Sequence, residues 1–241
     1  MRIGLVGYGK MGKAIEQAAL QSGHTVPYRI NHSNRDCLKY LTQQSVDVAI
    51  EFSQPEAAYE NIYTCLQQGV AVIAGTTGWL DRKEEIEQYC REKNGTFFYS
   101  TNFSLSVHIL FKLNSLLAKY MDRSPDYEVS IEETHHTTKK DQPSGTAIQL
   151  ADGIIQNLSR KKRWVNTSTQ EADAIPIISH RIPESAGTHV VQYEPKLDTL
   201  EIKHIAHSRE SFAQGVLLVA EWIQGKKGVL DMDDFIKLED N

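Results

Sequence analysis

Ile3-Gly4-Leu5-Val6-Gly7-Tyr8-Gly9-Lys10-Met11-Gly12 runs a short apolar strand directly into a Gly-x-Gly-x-x-Gly turn. The turn itself opens an amphipathic stretch, residues 11–21, whose periodicity is helical. Strand, glycine turn and helix in immediate succession are the setting in which this motif reports a dinucleotide-binding βαβ unit. The three glycines act differently, Gly7 permitting the tight turn, Gly9 the approach of backbone to a pyrophosphate, and Gly12 close helix–strand packing. The helix start adds free N–H donors and the positive end of the helix dipole, both suited to phosphate. A glycine-rich turn that binds nothing is the competing reading, and the chain beyond it argues against that.

From residue 2 to about residue 102, short β-rich runs alternate with helical ones, which predicts a parallel sheet with helices on both faces. The strands expected are residues 3–6, 25–30, 46–52, 70–74 and 96–99, each apolar enough to be covered on both sides. Between the third and fourth, Ser53 with Glu56 reads as a capping box, Pro55 as an early helical position and Gly69 as the helix stop. The pattern then changes. A long helix is expected over 105–121, a strand over 127–132, further strands over 175–182, 188–193 and 199–206 with Lys196-Leu197-Asp198 in the last turn, and a closing helix over 212–224 ended by Gly225. The fold class expected is therefore α/β, a Rossmann-type parallel sheet domain followed by an α+β domain whose open mixed sheet is largely a meander.

The chain has 241 residues, enough for one large or two small cores, with 24% charged and 40% hydrophobic residues and a net charge of −5. That charge offers no basic footprint for nucleic acid. No apolar run reaches spanning length and the first strand starts at Arg2, so a cytoplasmic protein without membrane contact is expected. Cys37, Cys65 and Cys90 fall at no metal-ligand or redox spacing, so reduced thiols and no metal are expected.

A second glycine turn, Gly75-Thr76-Thr77-Gly78, leaves the carboxyl end of the strand at 70–74, where open α/β sheets place ligands. The acid expected about 20 residues beyond the first glycines to hold a ribose hydroxyl is missing; Tyr28-Arg29-Ile30-Asn31-His32 stands there and the next acid is Asp36. Arg29, His32 and Arg35 favour a 2′-phosphate instead, so NADPH is expected over NADH, with either usable.

The richest segment for chemistry is Glu132-Glu133-Thr134-His135-His136-Thr137-Thr138-Lys139-Lys140-Asp141-Gln142-Pro143-Ser144-Gly145-Thr146-Ala147. Ala147, Ile148, Ala151, Ile154, Ile155 and Leu158 recur at helical spacing, so a helix starts near Ser144, which can cap it. Hydroxyls and free N–H groups at Ser144, Gly145 and Thr146 then form an anion cradle. Histidines and lysines just upstream add cationic donors suited to carboxylates, and one of them can move a proton. Such a donor is what a reductase needs, because hydride added to an unsaturated carbon must be matched by a proton elsewhere in the π system. Taken alone, adjacent histidines are more often a polar loop pair; beside a dinucleotide fold they become site candidates.

The string from His135 to Ala147 resembles the signature of 4-hydroxy-tetrahydrodipicolinate reductases, in which two histidines precede a lysine and then Pro-Ser-Gly-Thr-Ala. Further matches run along the chain: the glycine fingerprint, Glu51-Phe52-Ser53 with Pro55, Gly75-Thr76-Thr77-Gly78, Asn102-Phe103-Ser104, Ser208-Arg209 and Phe212-Ala213-Gln214-Gly215. The resemblance implies His135 as proton donor or acceptor, Lys139 as proton donor, and His136 with Ser144, Gly145 and Thr146 as a substrate-carboxylate clamp. It implies Gly7, Tyr8, Gly9, Lys10, Met11, Gly12, Gly75, Thr76 and Thr77 as cofactor contacts, with Ser100, Thr101, Asn102 and Phe103 along the nicotinamide. It also returns residues 209–241 to the cofactor domain of residues 1–104, leaving 105–208 to substrate and assembly. Two departures stand out. No acid follows the second strand, and residues 161–199 are short and unlike the relatives, with Arg181-Ile182-Pro183-Glu184-Ser185-Ala186-Gly187-Thr188-His189 in place of a glycine-rich pattern.

The activity so implied is NAD(P)H-dependent reduction of a cyclic imine dicarboxylate to tetrahydrodipicolinate, in the diaminopimelate route to lysine. Its rivals are another two-domain dehydrogenase acting on an amino acid or sugar, and a nucleotide-sensing regulator without turnover. Assembly is expected as well. Val191, Tyr193, Leu200 and Ile202 alternate along two strands, and two helices suffice for one sheet face only, so a partner's sheet should cover the other; the resemblance implies that the assembly is a homotetramer.

Overall fold

The computed structural model describes residues 1–195, 197–208 and 210–237. The chain divides into two compact units, one of residues 1–104 with the segment from Glu210 onward, the other of residues 105–208. Arg209, Lys196 and residues 238–241, which carry the expected domain border, part of one expected turn and the end of the cofactor domain, lie outside the described residues.

The first unit runs β1 (Arg2–Val6), α1 (Lys10–Gln21), β2 (Thr25–Ile30), β3 (Val48–Glu51), α2 (Pro55–Gln67), β4 (Ala71–Ala74), α3 (Lys83–Glu92) and β5 (Thr96–Tyr99). The second unit follows with α4 (Leu105–Met121), β6 (Glu128–His135), α5 (Gly145–Ile155), β7 (Arg163–Val165), β8 (Ala174–Arg181), β9 (Thr188–Glu194) and β10 (Leu200–Ile205). The chain then returns to the first unit as α6 (Glu210–Trp222), β11 (Gly228–Leu230) and α7 (Met232–Ile236).

The first sheet has the order β11-β5-β4-β3-β1-β2, and every neighbouring pair is parallel. Its central strands are buried on both faces, Ile3, Leu5, Ile50 and Ile73 toward α1 and α6, and Val6, Ala49, Val72 and Phe97 toward α2 and α3. Two-sided burial is why these strands read as unbroken apolar runs, each fully buried aliphatic contributing about 1.5–3 kcal/mol. The expected cap of α2 does not form. Gln54 is the N-cap residue with no side-chain bond, while the Ser53 hydroxyl donates to the buried Glu51 carboxyl at the end of β3. The Ser53 oxygen, which a cap would need as its acceptor, instead accepts from Asn61 Nδ2 at 3.1 Å.

The second sheet has the order β10-β9-β6-β8-β7. Strands β10, β9 and β6 are antiparallel neighbours, whereas β8 lies parallel to β6, so β6 separates β8 from β9 and the expected meander is a mixed sheet with a crossover. The helices α4 and α5 cover one face, over Val129, Ile131, Ile175, Ile177, Val191 and Tyr193. Asn114 of α4 ties the two helices by donating to the Leu150 carbonyl, 2.9 Å away in the core. This corrects the row expected to meet a partner: Val191 and Tyr193 are fully buried by the chain's own helices, with Ile202 packed beside them, and of that row Leu200 alone stays exposed. The opposite face carries Glu132, Ile178, Val190 and Lys203 in one cross-strand row, half-buried or exposed and of mixed polarity.

Candidate active site

In the first unit the carboxyl ends of β1, β3 and β4 open onto a cleft of about 960 Å³ lined by Gly7, Tyr8, Gly9, Lys10 and Met11 and by Gly75, Thr76 and Thr77. The glycine turn is built as its spacing requires. Gly7 has φ +97° and a Cβ there would lie 2.0 Å from the Phe52 carbonyl; a Cβ on Gly12 would lie 2.3 Å from the Gly7 carbonyl. A Cβ on Gly9 would meet nothing within 4 Å, and as N-cap of α1 the residue offers no side chain of its own. A phosphate can therefore reach the helix N–H groups, so the cleft fits a dinucleotide. Under it, Thr76 Oγ1 accepts from Ser53 N–H at 2.8 Å and Glu51 accepts from the same amide at 3.1 Å, joining the two loops. Burial raises Glu51 above the usual carboxylate range, against the hydrogen bonds of Ser53, Thr76 and Asn61.

The rim answers part of the cofactor question. Arg29 is tied to Glu16, which also accepts from the Tyr8 hydroxyl, whereas His32 and Arg35 line the cleft. Ser100, Thr101, Asn102 and Phe103 stand apart from the cleft lining, at the end of β5. There Ser100 and Asn102 bond each other and Phe103, 2% exposed, packs on Phe52 and Phe98. Burial pushes the Cys65 thiol up to about 12, and all three cysteines are free, in keeping with inert thiols.

In the second unit, strand alternation carries Glu133 and His135 to the helix-covered face at the carboxyl end of β6. Ser144 caps α5 by accepting from Ala147 N–H at 3.2 Å, and its own N–H donates to both oxygens of Glu133 at 3.1 Å. His135 Nδ1 lies 3.4 Å and His189 Nε2 3.9 Å from Glu133 Oε2, and Arg181 reaches Oε1 at 3.5 Å. The Ser144 hydroxyl and His189 Nε2 are 3.2 Å apart, and the two imidazole rings meet edge to face at 5.0 Å. Burial raises the Glu133 carboxyl, but the bonds from Ser144 and Ser179 and the His135 charge outweigh it and leave it below the usual range. Burial depresses His135 against the pull of Glu133, with Lys139 and Arg181 adding to the depression. His189 is pushed down to about 4, mainly by burial and then by His135.

Glu133, His135 and His189 bring donor atoms within 4.8 Å of one another. That grouping has the composition of a metal site, and its carboxylate already accepts from the Ser144 amide and pairs with Arg181. Gly145 and Thr146 form the first turn of α5, whose leading amides have no intrahelical acceptor, and the space a Gly145 Cβ would take is open. Lys139 Nζ donates to Asp141 at 2.8 and 2.9 Å, and its charge is felt at His135. His136 Nδ1 and the Thr138 hydroxyl lie 2.7 Å apart.

Two family models match this chain, dihydrodipicolinate reductase N-terminus over residues 1–103 and dihydrodipicolinate reductase C-terminus over residues 106–236. The chain belongs to the dihydrodipicolinate reductase family. A 4-hydroxy-tetrahydrodipicolinate reductase of Christiangramia forsetii is 42% identical over 98% of both chains. One from Methanosarcina barkeri is 34% identical over 82% of this chain and 76% of its own. Among solved structures, the dipicolinate-bound dihydrodipicolinate reductase of Paenisporosarcina superposes with a TM-score of 0.82 at 22% identity, covering 98% of this chain and 99% of that one. A probable dehydrogenase of Thermotoga maritima shares the fold more loosely, with a TM-score of 0.56 at 10% identity over 97% of this chain and 92% of its own. Members of this reductase family are oxidoreductases, and its N-terminal domain takes a pyridine nucleotide. Among the described residues no helix is long and apolar enough to cross a membrane.

Sequence reasoning missed three members of the second-unit cluster, Glu133, Arg181 and His189. Glu133 was discoverable as the residue two before His135 on one strand face. Arg181 and His189 sit in the segment unlike the relatives, and only the pairing of β8 and β9 with β6 brings them in.

Proposed function

We propose that the protein is an NAD(P)H-dependent 4-hydroxy-tetrahydrodipicolinate reductase, acting in the cytoplasm on a cyclic imine dicarboxylate. The observation that carries the reading is the capped start of α5 standing beside His135, Lys139 and Arg181: free helix amides for carboxylates, with cationic and proton-moving groups at their edge. Gly145 and Thr146 amides, the Thr146 hydroxyl, Ser144 and His136 hold the substrate's carboxylates. Lys139, paired with Asp141, delivers the proton to the substrate, and His135, depressed by burial, accepts or returns one. When bound in the first-unit cleft, the reduced nicotinamide supplies the hydride that reduces the ring. Ser100, Thr101, Asn102 and Phe103 shape the nicotinamide end of the site, and residues 1–104 with 209–241 form the cofactor domain. NADPH binds at least as well as NADH, because Arg35 and His32 line the cleft and no acid stands after β2 to repel a 2′-phosphate.

The test uses purified protein, the condensation product of pyruvate and aspartate semialdehyde, and NADH or NADPH oxidation followed by absorbance. Oxidation dependent on the condensation product supports the reading; its absence with both nucleotides refutes it. We further propose a homotetramer in which the uncovered sheet face, with its Ile178 and Val190, meets a partner's. Light scattering returning a monomer mass of 27.2 kDa at micromolar protein refutes that assembly.

A further inference from the structure

Glu133 is 1% exposed, yet polar groups crowd its carboxylate. Its two oxygens take the Ser144 amide at 3.1 Å, and Ser179, Arg181, His135 and His189 close around them. A buried carboxylate is costly unless donors surround it, and here the donors come from four separate elements, β6, the start of α5, β8 and β9. The start of α5 is the anion cradle and His135 the proton-moving group. One carboxylate touches both.

We propose that Glu133 is a positioning residue that holds the Ser144 amide and the His135 imidazole in register, so that the carboxylate cradle and the proton-handling group form one unit. The proposal rests on the reductase reading above and adds a group to it. His135 is faced by Glu133 from its own strand, by Lys139 and Asp141 from the following loop, by Arg181 from β8, and by His189 from β9 with His204 behind it. Glu133 is the only acid among these that is buried; Nδ1 of His135 lies 3.4 Å from it and has no hydrogen-bond partner among the described residues, so the carboxylate's negative charge is what favours a proton on that nitrogen. That leaves Nε2, beside Gly187, as the atom free to exchange a proton.

The two halves of the role separate by substitution. Glu133→Gln keeps an acceptor for the Ser144 amide but removes the charge; Glu133→Ala removes both. With ¹³Cε1-labelled histidine, and the His135 signal assigned by its loss in His135→Asn, Glu133→Gln should move the His135 titration to lower pH. Arg181→Met, which removes an opposing cation, should move it to higher pH. Hydrogen exchange of the Ser144 amide should quicken at least tenfold in Glu133→Ala and return toward the parent rate in Glu133→Gln. A His135 titration unmoved in Glu133→Gln overturns the proposal, as does a Ser144 amide equally protected in Glu133→Ala. Should Glu133→Ala fail to fold, the opposed shifts of Glu133→Gln and Arg181→Met still decide. All these readouts use protein without substrate. Undiminished turnover in His135→Ala would instead refute the catalytic reading and leave the titrations intact.

Discussion

Lowering the pH from 7 to 5 should destabilise the protein, with His189 making a contribution that can be isolated. Its side chain is 6% exposed, and burial together with the neighbouring His135 depresses it from 6.5 to about 4. The unfolded chain therefore binds a proton at this position through a window in which the native protein does not. Stability is present in full above the unfolded value of 6.5 and is lost as the pH falls toward 4. For one such group the linkage relation gives a loss of about 2 kcal/mol between pH 7 and pH 5. That is a large share of the ~5–15 kcal/mol that keeps a typical domain folded. The assay is urea denaturation at pH 7, 6 and 5, at one protein concentration, of the parent and of His189→Gln. Glutamine keeps a polar partner for the Ser144 hydroxyl and does not titrate. His135 and His204 are depressed too and remain in the variant, so subtracting its profile isolates His189. Parallel profiles for the two proteins would refute the reasoning, since they would mean that His189 takes up its proton equally in the folded and unfolded states.

His135→Ala or Lys139→Ala should each lower turnover by roughly 10²–10⁴-fold, the weight of a positioned acid or base, while nucleotide binding measured by fluorescence survives. Arg35→Ala should weaken NADPH selectively in calorimetry and Arg29→Ala should not, because Arg29 is spent on Glu16; strong NADH preference with neither change felt would remove the phosphate pocket. Pyridine-2,6-dicarboxylate should inhibit competitively, and Thr146→Val should weaken it by roughly 1.5–3 kcal/mol, the worth of a hydrogen bond to a charged group; inhibition insensitive to Thr146 places the carboxylates elsewhere. Gly187→Ala should cost on the order of 1 kcal/mol in urea denaturation and reduce turnover, because Gly187 has φ +148° and the new Cβ would stand 3.3 Å from His135 Nε2; undiminished turnover would show that the approach does not matter.

The first unit was legible because its cues are local. Glycine spacing, two-sided apolar strands and helix stops such as Gly69 are each written within a few residues, and α4 over Leu105–Met121 has the bounds its periodicity predicts. The failures are places where a distant group decided the outcome. Ser53 reads as a cap, but its oxygen accepts from Asn61, eight residues on, instead of from the helix start. Strand β11 is three residues long, too short to carry a pattern, and exists because β5 has an open edge beside it. Strand β7 is a similar case against β8.

The second unit shows the limit most clearly in its sheet. Alternation along 188–193 correctly placed Val191 and Tyr193 on one face, but nothing in the alternation says which face the chain's own helices will take. Putting β6 between β8 and β9 settles it, and the same placement fixes the chemistry. On the covered face the apolar rows give way, toward the carboxyl end of β6, to a row of His204, His189, Glu133 and Ser179, and then to His135 with Arg181. A polar row under a helix would be costly in the middle of that face. At its end, under the first turn of α5, it meets the amides of a helix start, which need acceptors as much as Glu133 needs donors. The motif Pro143-Ser144-Gly145-Thr146 supplies one half of that exchange and is plain in the sequence. The other half is spread over residues 133, 181 and 189, and only the strand order joins it.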